Sequence, residues 1–370
     1  MLEANPFVYS HPVAARDVVG RDRETSELLG LVRGGHYATV SAPRRYGKTS
    51  LLLKVAELAR AEKLHAVSVD FDTVTSAEEA VRRIGAAYHA QLGGRARRAV
   101  EEAVRLFSPS VRFGAPGLSV GVSASAAQSR DALAELLELP RRLHERTGRR
   151  TLMIFDEFQD LLAVGEGMDG LVRSHIQHHG EQATYLFAGS QVSLMRELFA
   201  DRERPLYGQA HIMRLKPLPD EPLAEHIFAL FERTGRDPGE ALAGLVGLAS
   251  GHPQRAMLLA HHLWEVTPQG TVAGAAEFTQ ARTRTFAQLE ESYRALWGRL
   301  TPSERVVLVS LAGGERLYSR VNLERYGLSR SAAQNARDRL ISAGQELSVL
   351  RGSQPEFVDP LLREWLAQRE

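Results

Sequence analysis

Over its first two-thirds the chain alternates short apolar runs with longer amphipathic stretches. An amphipathic helix is expected from about Asp22, its N-cap, to Arg33, where Gly34-Gly35 stops it. His36–Ala42 reads as a short strand, Pro43–Gly47 as a loop and Lys48–Ala61 as a strongly apolar helix. Val67–Phe71 is a second strand. The helical pattern from Ser76 to about Val104 is broken by Gly93-Gly94, and Val111–Ser123 alternates apolar and small residues around Gly114–Gly117, a hairpin signal. The hairpin reads as an insertion, about 93–125, because a helix at Asp131–Arg146 must still precede the buried strand Thr151–Asp156. Further strands are expected at Thr184–Ser190 and Ile212–Leu215. Strands alternating with helices predict an α/β fold: a parallel sheet with helices on both faces.

From Asp220 the alternation ends. Helices are expected at Glu221–Thr234, Gly239–Ala249, Pro253–Val266 and Ala275–Trp297, then from Thr301 or Ser303 to Ala312. The last segment reads as three helices, the third capped by Ser329 and running to about Ala343, followed by a hairpin of Leu347–Arg351 and Pro355–Val358. That is helix-turn-helix spacing with a wing. The implied organisation is an α/β domain at 1–218, a helical lid at 219–299 and a winged-helix domain at 300–370.

Composition narrows this picture only modestly. At 370 residues the chain is too long for one ordinary core. It carries 44% hydrophobic and 25% charged residues and a net charge of +1, so any nucleic-acid surface must be a local patch. The last seventy residues contribute 10 arginines against 9 acids, which leaves both DNA and a protein open as partners. Cysteine is absent, excluding disulfides and thiolate metal sites. No basic-apolar leader and no bilayer-length apolar run occurs, so the cytoplasm is the expected location.

The chemistry concentrates where strands end. Ala42-Pro43-Arg44-Arg45-Tyr46-Gly47-Lys48-Thr49 matches a P-loop with alanine at the first glycine position. A strand leads in and a helix leads out, so unpaired N–H groups point at phosphates. Gly47 lets the backbone approach, Lys48 reaches the β- and γ-phosphates, and Thr49 holds Mg²⁺. A hundred residues on, the buried strand Thr151–Asp156 ends in Asp156-Glu157. Asp156 is expected to take a water on Mg²⁺ and Glu157 to polarise the attacking water. Ser190 ends the next strand, where it either touches the γ-phosphate or simply makes the turn. His175, His178 and His179 have helical spacing but no matching carboxylates, and read as a solvated helix face.

Together these features resemble the archaeal-type ATPase family, a STAND-related branch of the AAA+ ATPases. Asn5-Pro6-Phe7 with Val19-Gly20-Arg21 resembles its N-terminal entry, which implies that these residues lie near the adenine. Pro43–Ser50 resembles its P-loop, which makes Arg44, Arg45, Tyr46 and Ser50 nucleotide-site residues. Ala188-Gly189-Ser190, Pro205–Gly208, Gly251-His252-Pro253 and Val358-Asp359-Pro360-Leu361 with Trp365 resemble its sensor strand, following segment, lid motif and tail. The resemblance implies that His252 and Pro253 pack near the nucleotide and that Arg255 senses the phosphates. Gln209 stands where the family often has arginine; Arg202, Arg204 or Arg214 are the alternatives.

The leading expectation is an ATP-driven switch, an ATPase using Mg²⁺, whose winged helix binds duplex DNA or a protein partner. On the third C-terminal helix Arg330, Gln334, Asn335 and Arg337 would face DNA, with Arg351 on the wing. The competing readings are a nucleotide-dependent scaffold in signalling or defence with little turnover, and a DNA-dependent loader or transposition-related ATPase. A homo-oligomer is compatible with each.

Overall fold

A computed structural model describes residues 4–98, 111–114, 117–120, 126–343, 347–348 and 355–368. They fall into two compact units. One contains Ala14–Ala42 and Lys48–Leu215; the other contains the N-terminal residues through Val13, Pro43–Gly47 and the chain from Lys216 on.

The first unit is an α/β layer structure. Its strands are β1 (Ala38–Ser41), β2 (His65–Asp70), β5 (Thr151–Asp156), β6 (Ala183–Gly189) and β7 (His211–Arg214), all parallel, in the order β2-β5-β6-β1-β7. Between them in sequence, β3 (Val111–Gly114) and β4 (Gly117–Val120) pair as an antiparallel hairpin. Every residue of β1, β5 and β6 is buried. Successive side chains point to opposite faces, so both faces of the sheet are covered, and this is why these strands read as continuous apolar runs. Phe155, Phe158, Phe187 and Phe199 pack ring to ring at the centre, with Phe158 and Phe187 centroids 4.7 Å apart. The edge strand β2 is closed by Gln91, whose amide both donates to the Ser68 carbonyl at 2.7 Å and accepts from the Ser68 N–H at 2.9 Å.

The parallel register aligns strand ends. Asp70 lies opposite Asp156, and Ser41 opposite both Gly189 and Arg214. Loops leaving the carboxyl ends of β1, β5 and β6 therefore start from one edge of the sheet, where open α/β sheets bind their ligands.

Three local expectations need correction. The helix expected at Asp131–Arg146 is two helices, Ala126–Leu137 and Leu139–Thr147. Pro140 opens the second, where its missing N–H costs nothing. Helices Phe158–Ala163, Met168–Ile176 and Val192–Ala200 fill stretches assigned no element from sequence. The histidine trio is not a solvated face: His179 is fully buried, its Nδ1 2.5 Å from the Tyr185 hydroxyl, and His175 pairs with Glu138 at 2.6 Å. Burial, against the opposing pull of Glu138, brings the His179 ring down to about 4, so it is neutral.

The second unit is mainly helical: Asp220–Arg233, Ala241–Ala249, Pro253–Val266, Ala275–Arg299, Pro302–Ala312, Arg320–Arg325, Arg330–Ala343 and Pro360–Ala367. Two short strands, β8 (Leu347–Ser348) and β9 (Glu356–Phe357), pair antiparallel. One buried apolar cluster runs from Phe7 and Leu223 through Trp264, Leu308 and Ala336 to Trp365 and Leu366, so segments 219–299 and 300–368 share a core. Thr301 closes a capping box with Glu304, and Ser329 accepts from the Ala332 N–H at 3.1 Å. Gly251, with φ +73°, lets the chain turn into the helix Pro253–Val266; a Cβ there would lie 2.3 Å from the Leu218 carbonyl oxygen.

Candidate active site

The loop between β1 and helix Lys48–Ala61 has two left-handed residues, Arg45 (φ 68°) and Gly47 (φ 80°). Ala42 is not among the positive-φ residues, and its buried N–H bonds the Gly189 carbonyl at 3.3 Å. That accounts for the departure at the first position: this chain's loop needs glycine freedom at Gly47, not at Ala42. Holding Arg45 in this region costs about 1 kcal/mol, a local strain within the loop.

Lys48 opens the helix, 5% exposed, and its ammonium donates to Asp156 Oδ1 at 2.5 Å and to Glu157 Oε1 at 2.7 Å. Thr49 Oγ1 donates to Asp156 Oδ2 at 2.7 Å. Glu157 stands at φ 49°, which turns its carboxylate back toward the end of β6. There its Oε2 accepts from the Ser190 N–H at 3.0 Å and the Ser190 hydroxyl at 2.8 Å, and from Gln159 Nε2 at 2.6 Å. Sequence reasoning brought Lys48, Thr49, Asp156, Glu157 and Ser190 forward, and all five meet in one hydrogen-bonded cluster.

Gln159 was not identified from sequence. It is buried and orients Glu157, and a Cβ at Gly189 would lie 2.4 Å from Gln159 Oε1 and 2.6 Å from Met195, so these side chains would have to shift. The available signal was its position, two residues beyond Glu157.

Burial alone would push the Glu157 carboxyl up. The Lys48 charge and the bonds from Lys48, Gln159 and Ser190 outweigh it and hold the group at about 2. Burial likewise opposes the charge on Lys48, but Asp156 and Glu157 overcome it and raise the ammonium. One cation faces two carboxylates, so the cluster can accept a further cation. The Thr49 hydroxyl and Asp156 carboxylate are hard oxygen donors already 2.7 Å apart. Mg²⁺ uses one or two such protein oxygens and takes its remaining ligands from waters and phosphates, so this pair fits it.

In the helical unit, Tyr46 of the loop is 2% exposed; its ring lies 4.8 Å from the His252 ring and its hydroxyl donates to the Val358 carbonyl at 3.1 Å. His252 caps the helix that Pro253 opens. Burial holds the His252 ring down at about 4. Arg255 is buried and engaged within this unit: Nε and Nη2 form a forked pair with Asp359 at 3.0 and 2.5 Å, and Tyr293 donates to the same carboxylate at 2.7 Å. Nη1 of Arg255 is buried with no partner.

This pairing yields a stability prediction. Asp359→Ala strands a buried guanidinium and is expected to cost about 3–5 kcal/mol in chemical denaturation. Burial raises the Asp359 carboxyl, but Arg255 and Tyr293 prevail, so its folded pKa lies below the ordinary value. Its stabilisation is therefore complete above about pH 4 and lost as pH falls from there toward the folded value. A wild-type stability profile flat between about pH 5 and pH 3, or an Asp359→Ala variant as stable as wild type, refutes this.

The remaining candidates disperse. Arg21 is buried and pairs with Glu24 at 3.0 Å, beside Val19 and the left-handed Gly20. Asn5–Phe7 belongs to the other unit. Ser50 is buried, and Arg44 and Arg45 are exposed. Arg204 is engaged by Glu197, Arg202 is exposed, and Gln209 and Arg214 are half-buried. Arg337 is tied to Asp338 at 2.8 Å and Arg339 to Glu304 at 3.2 Å. Arg330 lies over the Tyr318 ring, and Gln334 and Asn335 are exposed. The expected stripe of Arg330, Gln334 and Arg337 is thus reduced at Arg337. Arg351 lies outside the described residues.

No family model matches the sequence, and no curated protein matches it. Among solved structures the chain is similar to the Walker-type ATPase PABY2304 of Pyrococcus abyssi, with 18% identity and a TM-score of 0.68, covering 97% of this chain and 99% of that one. It is also similar to the Aeropyrum pernix ORC2 protein, described as ADPNP-ADP complexes (16%, TM-score 0.56, 98% and 96% covered). A third is the Aeropyrum pernix ORC1 protein in complex with DNA (16%, TM-score 0.50, 95% and 93%). The chain shares the fold of these proteins, a five-stranded parallel sheet with helices followed by a helical region.

Proposed function

We propose that the chain is a Mg²⁺-dependent ATPase of the AAA+ class, of STAND character, whose nucleotide state sets the behaviour of a C-terminal winged helix. The observation that carries this reading is the cluster Lys48–Asp156–Glu157–Ser190 at the strand ends beside a phosphate loop. Lys48 would leave the carboxylates for the β- and γ-phosphate oxygens. Mg²⁺, held through Thr49 and Asp156, would supply charge neutralisation on those oxygens. Glu157, fixed by Ser190 and Gln159, would orient a water against the γ-phosphate and take its proton. Its freedom to act as base grows once Lys48 turns away, because the charge that keeps it so acidic is withdrawn. Steady phosphate release dependent on Mg²⁺, lost in Glu157→Gln, is the test. Binding without turnover would instead support a nucleotide-dependent scaffold.

The winged-helix reading of the last segment is supported by its helices Pro302–Ala312, Arg320–Arg325 and Arg330–Ala343 and the β8–β9 pair. One neighbour of similar fold is described as a DNA complex. On helix Arg330–Ala343 only Arg330, Gln334 and Asn335 lack an acidic partner among the residues expected to face DNA and described here, so duplex binding would be weak and salt-sensitive. Arg330→Ala with Arg337→Ala is expected to lower duplex affinity at low salt by about tenfold and leave ATP binding intact. An intact protein with no salt-sensitive duplex binding makes the segment a protein-interaction module. Among the described residues no helix is long and apolar enough to cross a membrane.

A further inference from the structure

The opposite edge of the same sheet holds a second feature. A cavity of about 680 Å³ opens where β2 and β5 begin, walled by Arg60, Arg95, Arg98, Arg146 and Arg149 around His65. His65 is the first residue of β2, and Arg149 lies two residues before β5. Asp70 and Asp156, at the far ends of those strands, are five residues further along each, roughly 17 Å away. A ligand held at the P-loop cannot fill this cavity.

Among the described residues lining it there is no carboxylate. In a chain of net charge +1, the guanidinium groups of Arg95, Arg98 and Arg149 beside Arg60 form a local positive patch. Two of them are fixed in place by neutral acceptors. Arg60 donates to the Ala66 carbonyl at 2.9 Å and to Gln91 Oε1 at 3.2 Å, and Arg149 donates to the Lys63 carbonyl at 2.5 Å. These bonds orient the forks; the Glu57 carboxylate also acts on the Arg60 charge. Between the forks the surface is neutral. Leu92 and Ala96 are buried apolar side chains, and His65, within 3.2 Å of the Thr147 hydroxyl, is kept uncharged by burial and by Arg149 beside it.

We infer that this cavity is a second ligand site, for a small molecule carrying two or more phosphoryl groups. Guanidinium forks match phosphoryl oxygens two at a time, and several forks around one hollow select for more than one such group. The volume is that of a small-molecule pocket, which suits a compact ligand better than a polymer backbone. The site does not depend on the nucleotide reading above.

The test uses the full chain carrying Lys48→Ala, so that phosphate binding at the P-loop is weakened, with inorganic tripolyphosphate as probe in a calorimetric titration. The expected result is saturable one-site binding that weakens at least about tenfold when Arg95→Ala and Arg98→Ala are added. Both side chains are exposed, and an unchanged melting temperature without probe shows that the fold is kept. Absence of binding, or binding indifferent to the two added substitutions, overturns the inference. A single-stranded oligonucleotide is titrated in parallel. If it binds through Arg95 and Arg98 while tripolyphosphate does not, the hollow is a nucleic-acid groove and the small-ligand site is likewise refuted.

Discussion

Replacing Glu157 by glutamine is expected to slow ATP hydrolysis by about 10²-fold while leaving Mg·ATP binding within about threefold of wild type. The amide occupies the same volume and can still bond Ser190, whose N–H and hydroxyl both reach the Glu157 carboxylate. It cannot take a proton from water, and the loss of a positioned general base is worth about 10²–10⁴ in rate. Asp156, Thr49 and Lys48 are untouched, so the phosphates and Mg²⁺ keep their partners. Binding and chemistry should therefore separate, a lower kcat at similar affinity. Single-turnover phosphate release beside nucleotide titration reads both. Unchanged turnover places the base elsewhere; lost binding would mean that the carboxylate serves the ligand rather than the water.

Lys48→Ala is expected to weaken ATP binding by about 10²-fold. A charged hydrogen bond to a phosphate oxygen contributes about 1.5–3 kcal/mol, and no neighbouring cation replaces it within the described cluster. Removing the ammonium has a second effect. Asp156 and Glu157 then face each other without the charge that holds the Glu157 carboxyl at about 2, and that group should titrate at a higher pH. Carboxylate NMR of Glu157 in the variant, with a melting curve to verify folding, tests this directly. Equal ATP affinity in both proteins removes the P-loop assignment.

How much of this was readable in advance follows the range of each interaction. Strands such as Thr151–Asp156 and Ala183–Gly189 are legible because full burial on both faces demands an unbroken apolar run. The loop residues Gly47, Lys48 and Thr49 and the pair Asp156-Glu157 are legible because strand ends fix where they emerge. Gln159 was missed because a glutamine in a helix's first turn carries no pattern; only the left-handed turn at Glu157 brings it to the carboxylate. The partner of Arg255 was missed for a different reason. Asp359 is 104 positions away, and nothing local marks either residue as half of a buried pair. The break at Pro140 was written in the sequence, and helical periodicity on both sides concealed it.

The bond from Tyr46 to the Val358 carbonyl joins a residue made early to one made late, 312 positions apart. A chain emerging from the ribosome folds in order of appearance, so segments complete themselves as their own residues arrive. Tyr46 cannot: its hydroxyl, and the guanidinium of Arg255 near its neighbour His252, find their acceptors only after Val358 and Asp359 have been added. During synthesis the phosphate loop thus appears 312 residues before its Tyr46 hydroxyl can find this acceptor. A ribosome stalled before Val358 would carry a chain whose phosphate loop still lacks the Tyr46 anchor.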